Sequence, residues 1–364
     1  MFKRLGVSGW IYFILHVIGL ILLVLSSFSS YISPGSYWFV ALLGVGHVLI
    51  LAVNLVLTAG WLFFKPAMSL LFLCLIGLLT PFHRKVISIR FSSSPQINNS
   101  IKIMSYNVQL FKLYNWTHNK ELRDEIMDYI GQEKPDILCM QEYFEADGDY
   151  FETTEPLRMR LSGGDIHFAK GVTNHKGHEF GISTYTTLPI VGKGSLHFEH
   201  QLTKTNLAQY TDLLWEGDTI RVFNVHLASN HLKTDEMDQI IEAGNESWMI
   251  TRKWLRKLRN GYRNREVQVK ILRNEIDKSP HPVIVCGDVN DVPVSYTYRI
   301  LSAGLIDAFL ETGSWIGATY NGRFPFLRID YIFHSPSLKS TNFKVAKQNF
   351  TDHFPIHCEM GVIK

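Results

Sequence analysis

The pattern of hydrophobic residues divides this chain into two parts. Up to about residue 91 the apolar residues form long uninterrupted runs, at Trp10–Phe28, Tyr37–Phe64 and Ala67–Leu79. A helix needs about 20 apolar residues to cross the core of a bilayer. The first two runs reach this length and the third is marginal. The pattern therefore predicts a membrane region at residues 1–91 with two to three transmembrane helices.

From Ile101 onward the apolar runs shorten to strand length and alternate with polar stretches. The stretches predicted as strands are IKIMSYNVQLF, PDILCMQEYF, FGISTYTTLPI, IRVFNVHLAS, VIVCGDVNDVP, LRIDYIFHS and TDHFPIHCEM. Helical periodicity is found from Lys120 to Gln132 and again from Ser247 to Asp277. Because helices fall between more numerous strands, residues 101–364 are predicted to form an α/β sandwich of mixed sheets covered by helices.

Two further features complete this division. The polar segment SSSPQINNS at residues 92–100 is predicted to be a linker. In the second helical segment Gly261 is expected to interrupt the helix. The residues expected to form its core face are Leu255, Leu258, Tyr262, Val269, Leu272 and Ile276.

Charge is distributed unevenly between the two parts. The first 100 residues contain no Asp or Glu, and six of the 36 basic residues lie there. The remainder thus holds 30 basic against 33 acidic residues, a net charge of −3 that is hidden by the overall +3. The positive total is therefore no indication of nucleic-acid binding. It reflects a basic, apolar first part.

The basic residues near the apolar runs do not fix the orientation of the predicted multi-pass protein. Lys3 and Arg4 favour a cytoplasmic N-terminus, whereas Arg84, Lys85 and Arg90 compete at the other end of the region. Three spans would place residues 101–364 on the opposite side of the membrane from the N-terminus, and two spans would keep both on one side. We expect a membrane protein of the bacterial inner-membrane type. The sequence leaves open on which side of the membrane residues 101–364 lie.

The four cysteines, Cys74, Cys139, Cys286 and Cys358, lie in apolar runs without regular spacing. Such cysteines are usually small buried hydrophobic residues. Their spacing predicts neither a zinc cluster nor a disulfide framework.

Polar residues follow several predicted strands at the point where each strand ends. Turn residues are one explanation, since Gly, Asn and Asp are ordinary there. A functional site is the other, since catalytic groups favour loops held by a rigid scaffold. In chain order the polar groups are Asn107, Gln141-Glu142, His226, Gly287-Asp288-Val289-Asn290, Asp330-Tyr331 and Asp352-His353.

This ordered set resembles the endonuclease/exonuclease/phosphatase superfamily, which has the deoxyribonuclease I-like fold. The resemblance covers residues 101–364 and favours the site over the turn interpretation. It implies a four-layer sandwich of two mixed β-sheets flanked by helices, here preceded by transmembrane helices. It also implies hydrolysis of a phosphoester by water with Mg²⁺ or Mn²⁺, hard cations that prefer oxygen ligands.

The resemblance also assigns roles to the matching residues. It implies Glu142 as the principal metal ligand, with Asn107 beside it and Asp352 close by. Asp288 would orient or deprotonate the attacking water, and Asn290 would donate to a phosphoryl oxygen.

Histidines and one arginine complete the expected site. His353, oriented by Asp330, and His226 would lie against the phosphate. A carboxylate partner raises the pKa of a histidine and favours its charged form. Arg328 could also reach a phosphate, although an arginine at a strand edge is more often a solvated charge.

The sequence leaves the substrate open. A membrane-anchored phosphodiesterase or phosphomonoesterase is the leading prediction, a nuclease with the same site is an alternative, and a catalytically silent binding module is a third. Four arginines, Arg252, Arg256, Arg259 and Arg263, share one face of the second predicted helix. They form a solvated surface, or a contact with anionic lipid headgroups or with a nucleic-acid backbone. No protein partner is indicated.

Overall fold

The computed structural model describes residues 5–89, 97, 99–115, 120–146, 151–198, 205–229 and 247–362, without the side chains of 114, 115 and 247–250. Most of the predicted linker at 92–100 lies outside these ranges. The helices are α1 (Val7–Phe28), α2 (Pro34–Val45), α3 (His47–Phe64), α4 (Pro66–Gly77), α5 (Thr80–Val86), α6 (Lys120–Glu133), α7 (Thr154–Arg160), α8 (Ser247–Asp277), α9 (Tyr296–Leu301) and α10 (Ala308–Thr312). Short 3₁₀ helices occupy Ser29–Tyr31 and Gln109–Asn115.

Twelve strands lie within the described residues. They are β1 (Ile101–Asn107), β2 (Ile137–Glu145), β3 (Asp165–Thr173), β4 (Glu179–Thr186), β5 (Ile190–His197), β6 (Leu207–Trp215), β7 (Asp218–His226), β8 (Val283–Asp288), β9 (Ile306–Asp307), β10 (Asp330–His334), β11 (Leu338–Val345) and β12 (Ile356–Val362). They form two sheets of six, in the orders β11-β12-β1-β2-β4-β3 and β5-β6-β7-β8-β10-β9. Each sheet has one parallel pair, β1 with β2 and β7 with β8, among antiparallel neighbours. The predicted sandwich of two mixed sheets is confirmed.

Side-chain alternation along the strands builds the layers. Ile103 of β1 and Ile284 of β8 belong to the cluster buried between the two sheets. Their neighbours Met104 and Val285 point the other way, into separate clusters on the outer faces. Those outer clusters include residues of α6 and α7 on the first sheet and of α8 and α9 on the second. The period of two along each strand thus produces the four layers.

Three of the cysteines lie in the layer between the sheets. Cys139, Cys286 and Cys358 are buried there as free thiols, and Cys74 is exposed on α4. The prediction of small buried hydrophobic residues is confirmed for the three.

Helix α8 runs unbroken through Gly261, so the predicted interruption is wrong. Tyr262 and Val269, in the second half of the helix, are buried. Packing along this buried face outweighs the low helix propensity of one glycine. Leu255 is 40% exposed and is not part of the core, also against expectation. Of the arginine face, Arg263 donates through Nη2 to the carbonyl of Gly35, 3.0 Å away.

The apolar first part is a helical bundle, which we call the apolar helical region (α1 to α5). α1 and α3, of 22 and 18 residues, are long and apolar enough to cross a membrane. The single run predicted from Tyr37 to Phe64 is wrong, because the chain divides at Gly46 into α2 and α3. α4 and α5 form a pair bent by 69°, which could count as a third span.

Packing within this region shows the direction of each helix. Leu23, Leu51 and Ile76 of α1, α3 and α4 form one cluster. Trp61, Met68 and Phe72 form another, with Tyr12 against it. α1 therefore runs from the second cluster to the first, α3 returns, and α4 runs back again. The N-terminal end of α1 and the connection to the sandwich consequently lie at opposite ends of the bundle.

The bundle end that leads to the sandwich is docked onto it. The Ser29 hydroxyl donates to the carbonyl of Val294 at 2.9 Å, and Arg299 donates to the carbonyl of Ser30 at 2.7 Å. A side chain at Gly44 would approach the Val294 carbonyl to 2.7 Å, so this close contact requires glycine. Glu266 of α8 accepts from the Ser33 hydroxyl at 2.8 Å.

Glu311 of α10 joins three elements and should matter for stability. Its Oε2 accepts from Ser340 N (2.7 Å) and lies 3.0 Å from Nε2 of His334, which connects α10 to β10 and β11. Burial disfavours its charge, but these hydrogen bonds outweigh burial and lower the pKa of Glu311 to about 2 from its usual 4.5. A carboxylate with a depressed folded pKa stabilises the fold above its unfolded pKa. That stabilisation is lost as the pH falls from 4.5 toward 2.

We therefore expect Glu311→Gln to lower the free energy of unfolding at pH 7 by about 2 kcal/mol, since a hydrogen-bonded charge is removed. The deficit should shrink as the pH approaches 2 in thermal melts followed by circular dichroism. Glu155→Gln, which breaks an exposed ion pair with Arg158, is the control and should change little. Equal melting temperatures of Glu311→Gln and the unchanged protein at pH 7 would contradict this prediction.

Candidate active site

The carboxyl ends of the two parallel strand pairs meet at one edge of the sandwich. In the first sheet Asn107 ends β1, in register with Gln141 of β2. In the second sheet His226 of β7 and Asp330 of β10 are each in register with Asp288 of β8. Residues far apart in the chain are thus aligned in two facing rows. Ligands of open α/β sheets commonly bind at such carboxyl ends.

The turn after β8 has a conformation that its sequence makes possible. Gly287 has φ +145°, and a Cβ there would lie 2.0 Å from the Val225 carbonyl oxygen, so only glycine fits. Asn290 is left-handed, with φ +55°. Its backbone N–H donates to Asp288 Oδ1 at 2.8 Å, and its side-chain amide donates to the Leu227 carbonyl at 3.0 Å. The polar residues of GDVND therefore form a rigid loop whose hydrogen bonds orient Asp288.

A bulge in β2 orients Glu142. The pairing of β2 with β4 shifts between Met140 and Tyr143, and Glu142 has φ +49°. Bulges redirect side chains and are frequent beside active sites. Here the carboxylate of Glu142 is brought toward the site with 22% of its side chain exposed, which leaves it within reach of solvent.

Asn107 connects the two rows of residues. Its Nδ2 donates to Asp288 Oδ2 at 3.0 Å and lies 3.4 Å from Glu142 Oε1. Its Oδ1 accepts from the backbone N–H of Gln109. The amide nitrogen, not the oxygen, therefore faces the carboxylates in this arrangement.

His353 and Asp330 form a buried pair next to Asp288. Nδ1 of His353 lies 3.1 Å from both Asp330 oxygens, and Nε2 lies 3.6 Å from Asp288 Oδ2. Burial opposes the charge of His353, but the two facing carboxylates outweigh it and hold its pKa well above the usual range. His353 is therefore a cation at neutral pH.

Asp288 and His226 have opposite shifts that suit proton transfer. Burial raises the pKa of Asp288 to about 6, with the His353 charge acting against this rise and the Asp330 carboxylate adding to it. Burial lowers the pKa of His226, so its imidazole is neutral at neutral pH. Nε2 of His226 lies 3.8 Å from both Asp288 Oδ2 and Glu142 Oε1. A carboxylate with a pKa near the working pH can both accept and release a proton.

Asp352 lies beside His353 in the turn before β12, and its charge acts on groups of the site edge. Burial raises the pKa of Tyr320 and Asp352 adds to that rise. Burial lowers the pKa of Lys112, which Asp352 and Glu142 oppose. Lys112 and Tyr320 were not predicted from the sequence. The ring of Tyr320 lies 5.9 Å from that of His353. No local sequence pattern marks Lys112 or Tyr320.

A buried amide pair lies below the site, and of its two residues only Gln141 had been singled out from the sequence. Gln141 donates to Asn224 Oδ1 at 2.7 Å, and Asn224 donates to the carbonyls of Met140 and Ser183. These bonds join the second sheet to the first beneath Glu142 and His226. A signal was present, because Asn224 occupies an inward position of a core strand two residues before His226.

Arg328 is not placed as a phosphate ligand. It is 2% exposed, and its Nη1 pairs with Asp307 Oδ2 at 2.7 Å. Its Nη2 donates to the carbonyl of Lys85 at 2.9 Å. The prediction is corrected: the guanidinium connects α5 to the sandwich, since a buried charge must be paired.

The described residues also line a cleft of about 790 Å³ that lies apart from this cluster. It is bounded by Lys102 and Glu133, by Trp315, and by Lys344 and Lys347. None of the predicted site residues lines it. We place the chemistry at the buried cluster, because shifted pKa values and facing carboxylates converge there.

The cluster fits a divalent cation by its donor chemistry. Four carboxylates, those of Glu142, Asp288, Asp330 and Asp352, lie near two basic side chains, His353 and Lys112, so acidic groups are in excess. Asp288, Asp330 and His353 have ligand atoms within 4.8 Å of one another, but all three are buried and two are hydrogen-bonded together. Glu142 is the carboxylate within reach of solvent. The oxygen-rich set matches hard cations.

Comparison with known proteins identifies the class to which this fold and site belong. The profile of the Endonuclease/Exonuclease/phosphatase family matches residues 104–353, more than half of the chain. The chain therefore belongs to this family. Residues 9–86 match a second family, described as a domain of unknown function.

One curated relative is the CCR4-Not complex 3'-5'-exoribonuclease subunit Ccr4 of Schizosaccharomyces pombe. It is 23% identical over 309 residues, which is 72% of this chain. The match spans 42% of that protein's length.

Solved structures share the fold. An endonuclease/exonuclease/phosphatase from Beutenbergia cavernae has a TM-score of 0.51 at 16% identity. The superposition covers 73% of this chain and 72% of the chain from Beutenbergia cavernae. The human Nocturnin catalytic domain with bound sulfate has a TM-score of 0.51 at 21% identity, over 74% and 96%. The mannosyl-6-phosphatase of Bacteroides thetaiotaomicron has a TM-score of 0.50 at 18% identity, over 72% and 100%.

Proposed function

We propose that this protein is a membrane-anchored phosphoesterase that depends on a divalent metal, Mg²⁺ or Mn²⁺. The observation that carries the proposal is the meeting of Glu142, Asp288 and the Asp330–His353 pair at one edge of the sandwich. All positions of the family pattern are present. This completeness argues against a catalytically silent binding module.

Membrane anchoring is supported by the apolar helical region. α1 and α3 are long enough to cross a bilayer, and a rise of 1.5 Å per residue gives α1 a length of about 33 Å. The family match at residues 9–86 ends near the end of α5. We therefore propose a membrane region at 1–91, a linker at 92–100 and a catalytic domain at 101–364.

For the metal we propose Glu142 as the principal ligand, with Asp352 and Asn107 close to it. Asn107 would have to turn its amide to present Oδ1, which would exchange the hydrogen bond to Gln109. When bound, the cation supplies positive charge that offsets the charge of a phosphoryl group.

The chain's own groups supply the rest of the reaction. Asp288 accepts a proton from a water molecule whose oxygen attacks phosphorus, and the bond from phosphorus to the leaving oxygen breaks. Protonated His353, held by Asp330, donates to a phosphoryl oxygen and stabilises the negative charge there. Asn290 and neutral His226 complete the hydrogen bonds around the phosphate. The leaving oxygen takes up a proton as the alcohol departs.

A nuclease is the second candidate, because the curated relative is named as an exoribonuclease subunit. The chemistry at phosphorus would be identical. The net charge of −3 after residue 100 weighs against a broad nucleic-acid surface, which depends on Lys and Arg.

Contact of the arginine face with anionic lipid stays a prediction. Arg252, Arg256 and Arg259 are exposed on α8, and Arg263 already touches Gly35 at the start of α2. The face thus extends toward the apolar helical region, where anionic headgroups would lie. If this contact forms, residues 101–364 should sediment with anionic vesicles and be released as salt rises. Changing all four arginines to Gln should remove this sedimentation.

Metal dependence is tested by Glu142→Gln. We expect chelation with EDTA to abolish hydrolysis of bis(4-nitrophenyl) phosphate by the full chain and Mg²⁺ to restore it. In Glu142→Gln the Mg²⁺ concentration for half-maximal rate should rise by about 10²-fold, because a charged ligand is lost. Isothermal titration of Mg²⁺ provides a readout separate from activity.

Glu179→Gln is a matched control, since its side chain is 23% exposed against 22% for Glu142 and pairs with Lys170 away from the site. It should leave the Mg²⁺ requirement unchanged. Full activity of the chelated protein would overturn the proposal.

A further inference from the structure

The loops that carry the site residues are the loops that touch the apolar helical region. Asp288 and Val294 are six residues apart, and the Val294 carbonyl bonds to Ser29 at the end of α1. An extended chain spans about 3.5 Å per residue, so Asp288 lies within about 20 Å of that helix end. Arg328, bonded to the Lys85 carbonyl, stands two residues before Asp330. Both catalytic carboxylates are therefore close to the end of the bundle.

A third connection runs through the loop of residues 313–329, which we call the 313–329 loop. At one end Trp315 and Ser88 exchange backbone hydrogen bonds of 2.9 and 2.7 Å. Further along, Tyr320 forms a β-bridge with His353. One loop thus leads from the end of the apolar helical region to His353 of the site.

This loop exposes aromatic side chains. Trp315 is 77% exposed and Phe324 is 40% exposed. Ile89, next to Ser88 on the facing segment, is 68% exposed. Tryptophan is enriched where proteins meet the headgroup level of a bilayer, because its ring is apolar at one end and polar at the other. Trp315 is bonded to Ser88, which follows the end of α5 at Val86 by two residues.

Two lysines lie beside the loop. Lys344 and Lys347 line the same cleft as Trp315, together with the acidic Glu133 and Glu359, and Lys347 donates to the Ala318 carbonyl. Basic side chains beside exposed aromatics suit the anionic headgroups of a bilayer surface.

We propose that the substrate is the phosphoester of a membrane lipid, and that the 313–329 loop lies in the bilayer surface and brings the lipid headgroup to His353 and Asp288. This inference rests on the proposed phosphoesterase function. The docked helices hold the site at a fixed height above the apolar helical region. A headgroup at the bilayer surface then reaches the site while its acyl chains stay in the membrane.

The test uses the full chain reconstituted into vesicles of phosphatidylcholine, phosphatidylglycerol, phosphatidic acid and sphingomyelin in equal parts. Release of headgroup or phosphate is compared with hydrolysis of soluble bis(4-nitrophenyl) phosphate and of an RNA oligonucleotide. We expect the vesicle lipid to be hydrolysed faster than the RNA. In Trp315→Ala/Phe324→Ala the ratio of vesicle to soluble turnover should fall about 10-fold, since misplacement of a substrate is costly.

Met159→Ala is the matched control. Met159 is 74% exposed on α7, close to the 77% of Trp315, but lies on the outer face of the first sheet. Its ratio should not change. Quenching of tryptophan fluorescence by doxyl-labelled lipid gives a second measurement. The amount of fluorescence quenched should be smaller in Trp315→Phe, which lacks this tryptophan.

The outcomes separate the two levels of the proposal. Loss of metal-dependent turnover on every substrate would overturn the phosphoesterase function itself. Metal-dependent cleavage of the soluble diester or the RNA without hydrolysis of vesicle lipid would overturn the lipid inference alone. An unchanged ratio in the double variant, or unchanged quenching in Trp315→Phe, would remove the role of the 313–329 loop.

Discussion

Asp288→Asn is expected to lower the turnover number by about 10²–10⁴-fold, the usual effect of removing a positioned general base. Asp288 is 1% exposed and lies within 4 Å of both His226 and His353. Asparagine keeps the size of the side chain and an oxygen that can accept from Asn290 N. It cannot take a proton from water. The loss should therefore appear in kcat with little change in folding.

The measurement is the steady-state rate on bis(4-nitrophenyl) phosphate at saturating Mg²⁺, with circular dichroism melts to verify the fold. Asp212→Asn serves as the control. Asp212 of β6 is also buried, and it pairs with Arg221 of β7 outside the site. That variant should lose stability but not turnover in the folded fraction. Wild-type turnover in Asp288→Asn would show that another group accepts the proton.

The Asp330–His353 pair is expected to act as one unit. Nδ1 of His353 lies 3.1 Å from both Asp330 oxygens, so the carboxylate fixes the ring and maintains its charge. We expect Asp330→Ala and His353→Ala each to lower kcat/KM by about 10²–10³-fold. The double variant should lose little more than either single one, since residues that act together are strongly non-additive.

A double-mutant cycle of kcat/KM measures this coupling. The Glu311–His334 pair offers a matched control, because it also joins a carboxylate to a histidine, at 3.0 Å and away from the site. Its variants should affect the melting temperature and not the turnover of folded protein. Additive losses in the Asp330–His353 cycle would mean that each residue acts independently.

Sequence patterns determined the local elements of this protein and the residue types of its site. Alternation along Ile101–Asn107 and Val283–Asp288 predicted strands because side chains of a strand face opposite sides in turn. The six polar groups in family order predicted which residues would form the candidate site. These features depend on neighbours in the chain, which a sequence displays directly.

Contacts between distant segments could be seen only in the tertiary structure. Arg328 resembled a free strand-edge charge until folding placed it against Asp307 and the Lys85 carbonyl. Asn224 became a connection between the sheets because Gln141 lies opposite it, 83 residues away in the chain. No periodicity encodes such pairs, since each depends on the packing of whole sheets.

The apolar helices show the same division. Their composition predicted long apolar helices, and α1 and α3 have the required length. The break at Gly46 and the docking of Ser29 on Val294 are seen only in the folded chain, where a glycine at position 44 permits the close approach to Val294. Hydrophobicity sets whether a segment avoids water, whereas its direction and partners are decided by the surfaces that it meets in the folded chain.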